Sequence, residues 1–157
     1  MDYIEFLKTK IELAVDSGFE VDRAKINKAL KPHQADAVAW ALRGGRRALF
    51  ESFGLGKTVQ ELEFCHLAAE HENGRALIVL PLGVKQEFTQ DAVNVLGYES
   101  PRYVRTMEEV KEAKEQILLT NYERVRDGDI DPTYFSATAL DEASVLRSFG
   151  SKTYQTF

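Results

Sequence analysis

Cysteine occurs once in the 157 residues, at position 65, so neither a disulfide nor a cysteine metal cluster can form within the chain. Cys65 falls at an apolar position of an expected helix and reads as a small core residue. No stretch approaches the roughly 18 apolar residues of a membrane span. The opening MDYIEFLKTK lacks a basic segment followed by an apolar one, so the expected location is cytoplasmic, with no membrane partner. Positive charge is not in excess either. The net charge of −5 gives no whole-chain footprint for nucleic acid, and any such contact must be local. The one dense basic group, Arg43-Gly-Gly-Arg46-Arg47, reads as a solvated turn after a helix or as a phosphate contact. Internal repeats, low-complexity tracts and linkers are absent. With 44% hydrophobic and 29% charged residues, the chain is suited to one domain with a sizeable core.

What is present is an alternation of short apolar runs and helical patterns. Ile4, Leu7, Ile11 and Val15 fall at helical spacing within residues 2–16, and Ser17-Gly18 supplies a stop. A second helix is expected from Pro32, which suits a first helical turn, to Gly44-Gly45. Its apolar face would be Val38, Ala41 and Leu42, with Trp40 near the edge. Strands are then expected at 48–50, 76–80, 102–105, 117–120 and 135–140. Helices are expected at 57–71, 84–97 and 107–115, and a turn-rich stretch at 126–133. Strands alternating with helices predict an α/β fold, a parallel sheet with helices on both faces. Residues 1–27 read as an N-terminal helical extension and 28–157 as the α/β domain.

Between the first expected strand and the next helix lies Glu51-Ser-Phe-Gly-Leu-Gly-Lys-Thr58, close to the Walker A form G-x-x-x-x-G-K-[S/T]. Gly54 and Gly56 allow the backbone to curl with its N–H groups inward, a nest for phosphate. Lys57 would add a point charge at the β and γ phosphates, and Thr58 a hydroxyl for Mg²⁺. The helix starting here would aim its positive end at the same anion. Glu51 stands where the pattern has Gly, and a bare G-x-G-K-T also occurs in surface turns. A triphosphate site further needs a metal-positioning carboxylate and a base. Asp141-Glu142 follows the apolar run FSATAL, where a parallel strand would emerge at the sheet edge that carries the phosphate loop. Asp141 would position Mg²⁺ and Glu142 would orient the attacking water. The expected ligand pair is thus ATP and Mg²⁺.

Taken in order, these segments resemble the first, RecA-like motor domain of superfamily 2 helicases and translocases, most closely the Swi/Snf-type ATPases and their bacterial and phage relatives. Leu30-Lys-Pro-His-Gln34 is similar to the entry motif L-x-P-x-Q, which implies that Gln34 reads the adenine edge, its amide donating and accepting at once. Phe53-Gly-Leu-Gly-Lys-Thr-Val-Gln60 resembles the loop E-M-G-L-G-K-T-x-Q, whose outer position need not be Gly. Leu77-Ile-Val-Leu-Pro-Leu82 and Leu118-Leu-Thr-Asn-Tyr-Glu123 resemble motifs on the nucleic-acid face, which implies contacts at Pro81, Thr120 and Tyr122 with a nucleic acid, DNA being the expected one. Asp141-Glu-Ala-Ser144 occupies the place of the D-E-A-D or D-E-A-H box, with Ser144 at the departing position.

The chain reaches Phe157 shortly after that box. By the resemblance it would therefore be an incomplete first motor domain with the second absent, nearly inactive alone, and open to self-association through an exposed sheet edge. Two other readings stay open at this point. One is a non-catalytic interaction module that keeps the fold, and the other is an unrelated phosphate-loop kinase.

Overall fold

The computed structural model describes residues 18–45, 47–50 and 57–141, with the backbone alone at 47–50 and 141. The helix expected at 2–16 and the residues Gly54, Gly56, Glu142 and Ser144 lie outside the described residues. After a 3-10 turn at Arg23–Lys25, the elements run α1 (Pro32–Gly44), β1 (Arg47–Phe50), α2 (Lys57–Glu72), β2 (Ala76–Val79) and α3 (Lys85–Asn94). There follow β3 (Arg102–Tyr103), α4 (Met107–Glu112), β4 (Ile117–Thr120), α5 (Tyr122–Arg126) and β5 (Ala137–Asp141). The five strands form one sheet in the order β1-β5-β2-β4-β3, and every pair is parallel.

The strand order and the placing of helices share one cause. From β1 to β2 to β3 the chain steps one way across the sheet, and α2 and α3 pack on one face. From β3 to β4 to β5 it steps back, and α4 and α5 pack on the other. Crossovers that keep a single hand must change face when the direction of stepping reverses. The strands accordingly split their side chains. Ala76, Ile78, Leu80, Ile117, Leu119, Ala137 and Ala139 join the core under α1, α2 and α3. Leu77, Val79, Leu118 and Leu140 join Val110, Tyr122, Ile130 and Phe135 in the second core. Fully buried strand residues on both faces explain why β2 and β4 read as continuous apolar runs rather than as alternations.

Helix α1 begins at Pro32 and ends against Gly45, whose φ of 147° is open chiefly to glycine. Its buried residues are Gln34, Val38, Ala39 and Leu42, while Trp40 is 75% exposed, so the inner stripe runs through Ala39 and the indole faces out. Helix α2 is buried nearly all round, because α1 and α3 flank it while the sheet lies beneath. Cys65 lies within it, fully buried, and burial raises its thiol pKa, with Glu61 adding to the effect. Helix α4 starts at Thr106, whose hydroxyl accepts the Glu109 N–H at 3.2 Å. Arg75 donates to the carbonyls of Val110 and Ala113 at its other end, at 2.8 and 2.9 Å.

Residues 18–31 lie against α1 and α2. Phe19 donates its N–H to Leu42 O at 3.0 Å and stacks on His71 with ring centroids 3.7 Å apart. Ile26 and Leu30 are buried in the same core as Val38. At Gly18 a Cβ would stand 2.1 Å from the carbonyl oxygen of Arg43, a backbone atom that cannot swing aside. Gly18→Ala is therefore expected to lower stability by about 1–3 kcal/mol, the scale of overpacking. A urea-unfolding midpoint equal to that of the parent would show that this segment does not dock on the end of α1.

Candidate functional site

The strand ends that border the two segments singled out for phosphate chemistry lie at one edge of the sheet. Strand β1 pairs with β5, and the register sets Phe50 level with Asp141. Both are the last residues of their strands, so the point where the chain enters the loop after β1 and the end of β5 at Asp141 lie side by side at the carboxyl edge. Helix α2 opens at Lys57 on the far side of that loop. Gly54, Gly56 and Glu142 lie outside the described residues, and of Asp141 only the backbone position is described.

Thr58, in the first turn of α2, donates its hydroxyl to Glu87 Oε1 of α3 across a long 3.4 Å. A threonine hydroxyl that gives its proton to a carboxylate keeps its oxygen lone pairs for a cation. Glu87 was not anticipated, because nothing in the stretch KQEFTQDA distinguishes it from other exposed carboxylates. Asp91, one turn further along α3, has its pKa raised by burial and by the neighbouring Glu87. Oxygen donors of this kind suit Mg²⁺. Among the described residues no group of three or more His, Cys, Asp or Glu gathers as a metal cluster.

Gln34 sits in the first turn of α1, 7% exposed, and its Oε1 accepts the Lys31 N–H at 2.8 Å. The side chain thus already caps its helix, closing one of the orphan N–H groups of the first turn. Such a bond fixes the direction of the amide plane. It also gives Gln34 a structural duty that the sequence motif did not reveal.

Of the positions expected to meet nucleic acid, Thr120 and Tyr122 lie inside the fold. Thr120 is fully buried and its hydroxyl donates to Val104 O at 2.9 Å, while Tyr122 is 1% exposed within the second core. Both side chains support the sheet from within, because their positions at the end of β4 and the start of α5 face the layer of α4. Pro81 remains half-buried at the end of β2. The polar groups gathered at this end of β2, β3 and β4 are others. Lys85 places its ammonium 4.7 Å from the centre of the Tyr103 ring, and the Tyr103 hydroxyl donates to Asn121 Oδ1. Arg124, partly exposed nearby, pairs with Asp129 at 3.1 Å. Lys85 and Arg124 bring positive charge to the edge that also carries Pro81.

These features define an α/β protein built on an all-parallel sheet. No protein-family model matches the chain, and no curated protein matches it. No helix among the described residues is long and apolar enough to cross a membrane.

Proposed function

We propose that the chain binds Mg²⁺-ATP at the carboxyl edge of β1 and β5, as the RecA-like first motor domain of a superfamily 2 DNA helicase or translocase. The observation that carries this reading is the pairing of β1 with β5, level at Phe50 and Asp141. It sets Phe50, the residue before the glycine-rich segment in sequence, level with Asp141, the first residue of the Asp-Glu pair. A phosphate cradle and its metal-positioning carboxylate must lie at one edge, since a single ion touches both.

In this reading the backbone around Gly54 and Gly56 holds the phosphates, and Lys57 sets its ammonium against them. Thr58 and Asp141 would hold Mg²⁺, which neutralises charge on the phosphate chain when bound. Glu142 takes a proton from the attacking water. Gln34 reads the base, its amide plane held by the bond to Lys31. The partner is a nucleic acid strand, met at the same edge by Lys85 and Arg124 for phosphate and by Tyr103 as an aromatic face.

The test is a competition titration with ATP and GTP. Guanine reverses the donor and acceptor order that an amide meets on adenine, so the parent chain is expected to prefer ATP and Gln34→Ala to lose that preference. Failure of the parent to bind Mg²⁺-ATP at all would sink the whole reading. Binding without a base preference would remove Gln34 alone.

A further inference from the structure

Helix α2 carries a buried acidic group that phosphate chemistry does not use. Glu63 is fully buried, and both of its carboxyl oxygens are engaged by other segments. Oε2 accepts the backbone N–H of Asn27 at 2.7 Å, and Oε1 accepts the Tyr98 hydroxyl at 2.5 Å. Asn27 is itself tied on all sides. Its Nδ2 donates to Leu96 O at 2.8 Å, its Oδ1 accepts the Ala29 N–H at 2.9 Å, and its carbonyl accepts the Leu30 N–H at 3.1 Å. Tyr98 is held from two directions, by its N–H to Ala92 O at 2.8 Å and by stacking on His66 with ring centroids 4.0 Å apart.

Three segments thus meet at one side chain: the stretch before α1, the turn after α3, and α2. Burying an acidic group is costly unless each oxygen is satisfied, and removing one partner strands the others. A network in which every member is bonded has one low-energy geometry and holds its segments in register. The register matters because of what lies at each end. Glu63 is about 9 Å along the helix axis from Lys57, at the helical rise. On the other side, Asn27 closes a turn with Leu30, and the next residue, Lys31, donates to Gln34.

We propose that Glu63 is a positioning residue for base selectivity: through Asn27 and Tyr98 it locks the segment that leads to Gln34 onto the helix that begins at Lys57. This inference rests on the nucleotide reading above and adds to it a determinant remote from both motifs. It separates two affinities. Recognition of the phosphate chain depends on the loop and the start of α2 and is independent of the lock. Recognition of the base depends on where Gln34 stands relative to that loop.

The experiment measures ATP, GTP and Mg²⁺-tripolyphosphate affinities for the full chain and for Tyr98→Phe, Glu63→Ala and Glu63→Gln. Tyr98→Phe removes one hydroxyl and keeps the ring on His66, a smaller change than Glu63→Ala, and circular dichroism checks that each variant is folded. Tyr98→Phe is expected to lower the ATP-to-GTP affinity ratio by about fivefold, the scale of one hydrogen bond, with tripolyphosphate affinity unchanged. Glu63→Gln is expected to keep most of the ratio, since its carbonyl can accept from Asn27 while the Tyr98 hydroxyl turns to accept from the amide. An unchanged ratio in Tyr98→Phe, or an equal loss of tripolyphosphate affinity, overturns the positioning role while leaving the nucleotide site standing. A parent chain that binds neither ATP nor tripolyphosphate overturns both.

Discussion

Lys57→Ala is expected to weaken Mg²⁺-ATP binding by about tenfold or more, the scale of a hydrogen bond made to a charged group. Lys57 is the first residue of α2, and in the proposed reading its ammonium adds a point charge to the helix end and the loop amides that hold the same anion. Alanine removes the point charge and leaves both of the other contributions in place. Residual binding is therefore expected, with its loss concentrated in the triphosphate: ADP affinity should fall less than ATP affinity, because the missing charge faces the β and γ phosphates. Calorimetric titration of both nucleotides checks this. Alanine is also the best helix former, so α2 itself should be unharmed and circular dichroism should match the parent. Equal ATP affinities in a folded variant would remove the cradle from the account.

In a protein that also carries the second motor domain, Glu142→Gln is expected to reduce DNA-stimulated ATP turnover by about 10² to 10⁴ while leaving Mg²⁺-ATP affinity close to that of the parent, because an amide keeps the shape of a carboxylate but cannot serve as a base. The argument comes from position. Asp141, the neighbour of Glu142 in sequence, ends β5 level with the end of β1, at the edge where the phosphates would lie in the proposed reading. Phosphate release with a DNA strand present reads the turnover, and the calorimetric constant reads the binding. Turnover equal to that of the parent would remove Glu142 as the base. A parallel loss of binding would instead move the residue into the set that holds the metal.

Much of the architecture was legible along the chain, for reasons that differ from element to element. The strand at Ile117–Thr120 matches its expected bounds, and Ala76–Val79 falls one residue short of its expected end. Both are short apolar runs between turn signals, which a strand buried on two faces requires. Helix α1 was bounded by Pro32 and Gly44-Gly45, residues whose backbone limits are intrinsic. The short helix at Tyr122–Arg126 was not foreseen, because five residues carry too little periodicity to stand out from a turn. The expected helix at 107–115 ends at Glu112, with Ala113 in an extended conformation.

The candidate site divides in the same way. The pattern of Gly54, Gly56, Lys57 and Thr58, the pair Asp141-Glu142 and the leading Gln34 are local signals, since each rests on residue types at fixed spacing. Other features depend on partners distant in sequence. Glu63 looks like a solvated helix residue until Asn27 and Tyr98 close on it, and Glu87 gains meaning only from Thr58. Thr120 and Tyr122 fit a surface motif by their letters, yet the packing of α4 and α5 over that face puts both inside.

By itself, then, the sequence determined the types of the longer described elements and the parallel character of the sheet, and it marked the residues proposed for phosphate. Those follow from local backbone preference and from the period of apolar side chains. The tertiary structure decided the order β1-β5-β2-β4-β3, and with it the pairing that sets Phe50 level with Asp141. Strand order depends on which way each crossover steps across the sheet. That choice is made by the packing of helices on two faces, a collective property that no single segment encodes.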